Sequence, residues 1–486
     1  MLFYTNLFNP CQLCPPSSLS PFFHLVTWCL GGYFLPSFSL ASTSLVGFPA
    51  FSAAAMDEGV YENVCPNGSE AKASAFHEAN ILNITVKAKC EEQQLKFNLM
   101  LILFTSFANV TPVISSICSL IIKPKYLAMI GGCIMTTGYL LFAFSTPYFE
   151  AYEVGSAIIG FGYSVCFLPL FSVAFREPGW THIVYPLIVG SFDFSAFTMF
   201  IFYSLHFTVG VTVSQYFFFM AGGALLSTFC ILWILKEPKQ QKQQSVNEKT
   251  ETTKLLPHEE GQAQTPQEPE KKTKGEQVKD NLKMLGNSLK QGKFWVITAW
   301  TSMYMTSKYF YIDTLNQQLF WLQNESKTES AEEFDISLAL GVFSIVLPAA
   351  ALLSPFTSLI TKKGGAKSVV MIMVVLSSII AVTGNVAIME LQYVTMSLVV
   401  YNRLLFFGIA PVVMTQVYPQ EIAIAVYGIS LTCAALVNYT GYLWSYIALS
   451  VAHSFFAVNM ALNCCAAVSG MSLFVFLFLS GKRKET

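Results

Sequence analysis

Charge is what this sequence lacks most. Of its 486 residues only 12% are Asp, Glu, Lys or Arg, where soluble domains carry about 25%. A chain with half the usual charge and 53% hydrophobic residues cannot keep long apolar runs in water. Catalytic and energy-coupling signatures are missing too. No Gly-Lys-Ser/Thr loop is present to cradle a phosphate, which argues against ATP-driven pumping. The six His are scattered, with no pair at zinc-ligand spacing. No basic residue precedes the first apolar run, so the positive n-region of a secretory signal is absent. The net charge of −1 gives no electrostatic footprint for nucleic acid.

What is present is apolar sequence in long blocks, with a mean hydropathy of +0.52. Blocks near 24–54, 97–122, 126–146, 151–175, 183–207 and 213–235 are followed by a polar stretch. Six more run near 294–321, 335–361, 368–389, 391–416, 422–447 and 454–480. Most exceed the roughly 18 apolar residues that separate a membrane span from a buried core helix. Backbone groups have no water to bond in hydrocarbon, and no barrel-like alternation is seen, so the spans are expected to be helices. The fold class expected is therefore all-α integral membrane, as two six-helix bundles, 22–235 and 294–480. Residues 1–21 form an atypical leader and 481–486 a tail. The first block is broken by Pro36 and several serines, so either the first span is irregular or the start of the gene model is wrong.

Lys and Arg placement sets the orientation. With both termini in the cytoplasm, 21 of the 28 basic residues fall inside, five outside and two within spans. The loop 55–96 then lies outside. It holds Cys65 and Cys90 with two sequons between them, at Asn67 and Asn83. A cysteine pair bracketing glycosylation acceptors is expected to close an extracellular loop by a disulfide; the alternative is two free thiols and unused sequons. The segment 236–293 is rich in Lys, Glu, Gln, Thr and Pro and is expected to be a largely disordered cytoplasmic linker. Within it 276–292 has Val278, Leu282, Leu285 and Leu289 on one helical face, a pattern suited to the membrane surface.

Charges inside spans are the candidate functional residues, because each costs about 2.5–3.5 kcal/mol at mid-bilayer. They are Asp193, Lys308, Asp313 and Arg403. Arg403 lies too deep to snorkel, and its fork of donors suits a planar or carboxylate-bearing ligand. Two readings stand side by side: a polar solute site between the bundles, or a salt bridge of Asp193 with Lys308 or Arg403 that only locks helices. Asp313 lies nearer a span end, where solvation suffices. Asn316, Gln317, Gln318, Asn402 and Asn438 are amides that either contact solute or join helices.

Several stretches add a resemblance. Gly190-Ser191-Phe192-Asp193-Phe194-Ser195-Ala196, Thr314-Leu315-Asn316, Arg403-Leu404-Leu405-Phe406 and Tyr418-Pro419-Gln420-Glu421 with Gly428 resemble solute carrier family 43, within the major facilitator superfamily. The likeness runs from about Gly47 to the end. It implies a facilitative uniporter working by alternating access, for purine nucleobases or, as the other branch, large neutral amino acids; Phe192-Asp193 and Thr314-Leu315-Asn316 look more like the nucleobase branch. Substrate-binding residues are then expected to be Asp193, Lys308, Tyr309, Asn316 and Arg403, with no catalytic residue, cofactor or metal. A monomer at the plasma membrane is expected. The Gly-x-x-x-Asp-Arg signature usual between the second and third spans is replaced by Ile121-Ile122-Lys123-Pro124-Lys125. A non-transporting receptor or a membrane enzyme are the rival classes.

Overall fold

A computed structural model describes residues 48–65, 79–81, 84–86, 91–175, 185–186, 188–190, 195–234, 274–326 and 336–482. Asp193, Asn67, Asn83 and Cys90, with residues 1–47 and most of the linker, lie outside them. Among the described residues eight segments are long and apolar enough to cross a membrane.

The first bundle contains α1 (Phe48–Asp57), α2 (Glu91–Ser119), α3 (Pro124–Ala143), α4 (Tyr152–Phe167), α5 (Ala196–Val209) and α6 (Val213–Ile234). A 3-10 stretch, Leu168–Phe175, continues α4. A two-stranded antiparallel hairpin, β1 (Ala79–Ile81) and β2 (Ile84–Val86), sits between α1 and α2. The linker contributes α7 (Lys274–Leu289). The second bundle holds α8 (Gly292–Ser326), α9 (Ile336–Ala349), α10 (Ser354–Thr383), α11 (Met389–Val417), α12 (Gln420–Asn438), the short α13 (Gly441–Tyr446) and α14 (Phe455–Lys482).

One apolar segment, Leu338–Thr383, is 46 residues long. As a straight helix it would measure about 70 Å, over twice the ~30 Å hydrocarbon core. The helix is broken at Gly365, whose φ of 67° is a conformation that a residue with a Cβ rarely adopts. The break separates the two expected spans, and Lys362, Lys363 and Lys367 flank it. The second of these spans ends at Thr383, short of the expected 389: at Gly384 the chain leaves the helix for a turn before α11 begins at Met389.

The bundles repeat one packing scheme. In the first, α3 packs on α4 and α6, α2 on α4, and α1 on α5; in the second, α10 packs on α11 and α14, α9 on α11, and α8 on α12. Between bundles, α2 packs on α12 and α5 on α9, again equivalent pairs. Gly131, Gly138, Gly155, Gly160 and Gly162 permit the close approaches within the first bundle: a Cβ on Gly162 would lie 2.7 Å from the Met135 nitrogen. Small residues at such crossings substitute packing for the hydrophobic force that lipid removes.

The buried core divides unevenly. At the end bearing the linker a single core takes Cys166, Leu168, Phe171, Tyr185 and Ile188 from the first bundle together with Trp300, Tyr304, Phe406, Val426 and Tyr427 from the second. At the opposite end, called here the loop end, the bundles keep separate cores. One contains Phe51, Phe97, Tyr139, Phe202 and Phe217; the others hold Leu315, Phe343 and Met396, and Phe310 and Phe455. The halves thus share a core at the linker end and keep separate cores at the loop end, where β1 still packs on α9.

At the loop end α1 is fastened by polar contacts. Asp57 Oδ2 is 3.0 Å from His206 Nε2, and the Val213 amide donates to Glu58 Oε2 at 2.6 Å. Gln93 donates to the Val60 carbonyl at 2.7 Å, and Lys96 pairs with Glu153 at 2.8 Å. Burial and then the Glu153 charge hold the nearby Tyr61 phenol above its usual range. Cys65 is disulfide-bonded; its expected partner, Cys90, is outside the described residues.

The linker helix spans Lys274–Leu289, close to the expected 276–292. Its Leu285 is buried in the shared core with Leu289 packed against it, while Leu282 is exposed. It lies on α12 and the start of α8, so part of the apolar face read as membrane-seeking covers protein instead.

Candidate functional site

The site is built mainly on α8. This helix carries the polar sequence Thr306-Ser307-Lys308 and Asn316-Gln317-Gln318 through otherwise apolar surroundings. Helical geometry sorts these residues. Positions 309, 313, 316 and 320 follow one another at i, i+4, i+7 and i+11 and so share a face. On that face Tyr309 and Asn316 are half-buried, and Asp313 and Phe320 are exposed. Tyr309 rests on the shared core at one end of the stripe. Four residues on, Asp313 acts electrostatically on Tyr442. Tyr439, a neighbour of Tyr442, donates to Ser106 Oγ in the first bundle at 2.9 Å. Tyr309 and Asp313 thus each lie near a contact between the bundles.

Lys308 points elsewhere. It is 3% exposed, and its Nζ donates to Asn463 Oδ1 of α14 at 3.0 Å. Ser307 Oγ donates to the same oxygen at 3.0 Å. Asn463 Nδ2 donates to the Asn459 carbonyl at 3.0 Å, and Asn459 Nδ2 donates to Gln318 Oε1 at 2.9 Å and to Asn385 Oδ1 at 3.3 Å. Gln318 Nε2 closes the chain on Thr314 Oγ1 at 2.7 Å. The result is a buried polar ladder between α8, α14 and the turn after α10. Asp193, the other half of the expected pair, is outside the described residues.

Arg403 is 1% exposed on α11. Its guanidinium carbon lies 5.4 Å from the Phe407 ring centroid, and it carries a further interaction of its own. Adjacent Asn402 donates to Ser377 Oγ at 3.0 Å, tying α11 to α10. Phe406 and Phe407 are 4.9 Å apart. Phe406 stacks on Tyr304 at 5.8 Å with only 7° between the planes. Lys308 Nζ lies 5.9 Å from that Tyr304 ring. Two buried cations thus flank one aromatic slab, which Trp300 backs at 5.2 Å from Phe406. Cation–π contact contributes up to about 2 kcal/mol once desolvated, which helps to hold charge inside the bundle.

The structure thus links Lys308 and Arg403 through aromatic rings and sets Tyr309 and Asn316 on a neighbouring face. Sequence reading passed over Asn459 and Asn463. Their signal was there: two amides at i and i+4 share one face of an otherwise apolar helix.

No model of a known protein family matches this sequence, and no curated protein matches it. Solved structures do. A double-tryptophan mutant of XylE aligns with a TM-score of 0.59 at 12% identity, covering 92% of this chain and 95% of its own. The human organic anion transporter MFSD10 aligns at 0.60 and 11% identity, covering 93% and 99%. FucP, a major facilitator superfamily transporter, aligns at 0.50 and 12% identity, covering 90% and 97%. At these identities the likeness is one of fold. The chain has the major-facilitator fold, two pseudo-symmetric bundles of six helices in an integral membrane protein.

Proposed function

We propose that this protein is a facilitative carrier that moves a small organic solute by alternating access. The observation that carries the reading is the division of the core: the bundles share one core at the linker end and keep separate ones at the loop end. Bundles that share a core at one end only are what a rocking carrier presents in one of its states, and we assign Tyr309, Asp313 and Asn316 to the face of α8 along the solute path. We assign the linker end to the cytoplasm, following the basic residues, and the loop with Asn67 and Asn83 to the outside, closed by Cys65 with Cys90. A monomer at the plasma membrane is part of the same reading.

For the solute we favour purine nucleobases. A planar heterocycle with several donors and acceptors suits a stacking surface such as the half-buried Tyr309, with Asn316 and Arg403 on its polar edges and Phe406 reached only if the core beside it opens. Asp193 with Lys308 would supply a charge pair or a proton-sensitive contact. One observation favours the second reading, a large neutral amino acid: an exposed carboxylate, Asp313, and a buried guanidinium, Arg403, are the complements of a zwitterion.

The test is initial uptake of labelled adenine beside labelled leucine, in cells expressing the chain, with and without a sodium gradient. Sodium-independent adenine uptake blocked by excess purine is expected. Leucine uptake instead keeps the carrier and changes the solute. Surface-localised protein that binds either solute without flux would point to a receptor.

A further inference from the structure

Two glycines meet the opposite bundle more closely than any side chain allows. Gly190, just before α5, faces Ser354 at the start of α10. A Cβ built on Gly190 would overlap the Ser354 hydroxyl outright, and would lie 3.2 Å from Ser354 Cβ and 3.4 Å from the Ala351 carbonyl oxygen. Gly428 of α12 faces Ser116 of α2. A Cβ there would overlap the Ser116 hydroxyl and lie 2.8 Å from the Pro112 carbonyl oxygen. Both serines are buried, at 1% and 0% exposure, and Ser116 Oγ has no hydrogen-bond partner among the described residues.

The two contacts are equivalent under the repeat of the fold. The segment around Gly190 occupies in the first bundle the place of α12 in the second, and α2 corresponds to the span that runs from α9 into α10. Each contact sets a glycine of one against a serine of the other. Both lie in the linker half of the molecule, beside the core that the bundles share there. Phe171 lies 5.6 Å edge-on from Tyr427 across the same seam. Gly408 adds a looser approach, 3.5 Å from a ring carbon of Pro186.

We propose that Gly190–Ser354 and Gly428–Ser116 are a two-point seal that closes the linker end, and that both points must part in each transport cycle. A glycine at each point lets the backbones meet, and a small hydroxyl residue opposite leaves nothing to interlock, so the contact opens without a side chain having to withdraw. The sequence lacks the usual charged signature in the loop after α2, and the Gly428–Ser116 point lies within one turn of helix of that loop. A methyl group at Gly428 would meet the Pro112 backbone carbonyl at 2.8 Å and at Gly190 would have to turn the Ser354 hydroxyl aside, so each shifts the protein toward the state open at the linker end, Gly428 the more strongly. The cyclic part of this proposal rests on the carrier reading above.

The test reads conformation, with no solute. Bio-orthogonal labels are placed at Lys123 and Lys363, exposed residues of the two bundles at the linker end, and the distance distribution between them is measured in the full chain in lipid. Gly428→Ala is expected to move population to longer distance, and Gly190→Ala to do so by less, because the Ser354 hydroxyl can turn aside. Ser354→Ala should restore the Gly190→Ala protein, because the overlapping hydroxyl is gone and the remaining approaches are 3.2 Å or more. Ser116→Ala should restore Gly428→Ala only in part, because the Pro112 carbonyl remains at 2.8 Å. Gly160→Ala is the control: its contact, with the Phe104 carbonyl, is as tight but lies within one bundle, and the inserted protein should keep the wild-type distribution. Unchanged distances in both glycine variants, or a shift of equal size in Gly160→Ala, would overturn the seal. A wild type without flux whose distances still shift as stated would sink the carrier reading and leave the seal supported.

Discussion

Lys308 and Asn463 meet inside the second bundle, ammonium to amide oxygen at 3.0 Å, with both residues at most 5% exposed. A hydrogen bond between helices in membranes contributes about 0.6 kcal/mol on average, and an intramembrane charge costs about 2.5–3.5 kcal/mol to insert. One neutral acceptor does not offset that cost, and the Tyr304 ring at 5.9 Å lies at the outer limit of cation–π contact, so Lys308 is not explained as a stabilising residue.

The first prediction follows from that imbalance. Lys308→Met should leave the amount of folded protein equal or raised, while uptake falls. Asn463→Leu should be worse for the protein, because it leaves a buried ammonium without its acceptor. The double variant should recover most of the loss, giving a coupling of about 1–2 kcal/mol in thermal or denaturant unfolding in detergent. Additive single effects would remove Asn463 as the partner that Lys308 depends on.

Arg403 offers a different test. Arg403→Ala should lower uptake by about tenfold or more, matching the ~1.5–3 kcal/mol of a charged hydrogen bond, with surface level preserved. Arg403→Lys should not restore it, since an ammonium lacks the planar fork that stacks on Phe407. Unchanged uptake kinetics in Arg403→Ala would remove this residue from the solute site.

Asp313 separates the two solutes. It is exposed on the face of α8 that carries Tyr309 and Asn316, so Asp313→Asn should leave the protein level within about twofold of wild type, as exposed substitutions do. Adenine uptake is expected to persist in this variant. If the solute is a zwitterion, the loss of the carboxylate should instead raise the KM for leucine with little change in maximal rate.

The loop end is open to a chemical test. Asn67→Gln and Asn83→Gln should each remove one step of glycosidase-sensitive mobility on a gel, and Cys65→Ser should make the loop sensitive to added protease. Mobility unchanged in both sequon variants would argue that the loop does not enter the secretory lumen.

Much of the architecture was legible in the chain. Apolar runs near 20 residues have one viable form in hydrocarbon, a helix, and their count on either side of the charged linker implies two bundles. The break between the eighth and ninth spans was announced by Lys362, Lys363 and Gly365. The individual side chains of the site were less legible. Lys308, Tyr309, Asn316 and Arg403 were picked as expensive or stacking residues within spans, but cost says nothing about direction. Lys308 turns toward α14 and Tyr309 toward the shared core because they lie 100° apart on one helix, and only the neighbours of α8 decide what each direction meets.

The sequence by itself determined that this is a helical membrane protein in two halves, with Lys308 and Arg403 inside its spans, because bilayer thickness and the cost of charge act locally on each segment. Tertiary structure alone decided that Asn463 receives Lys308, that an aromatic slab spans the distance to Arg403, and that Gly190 and Gly428 face serines of the opposite bundle. Those facts depend on how helices far apart in sequence pack together, and in lipid that packing is decided by close contact between surfaces, which no single segment encodes.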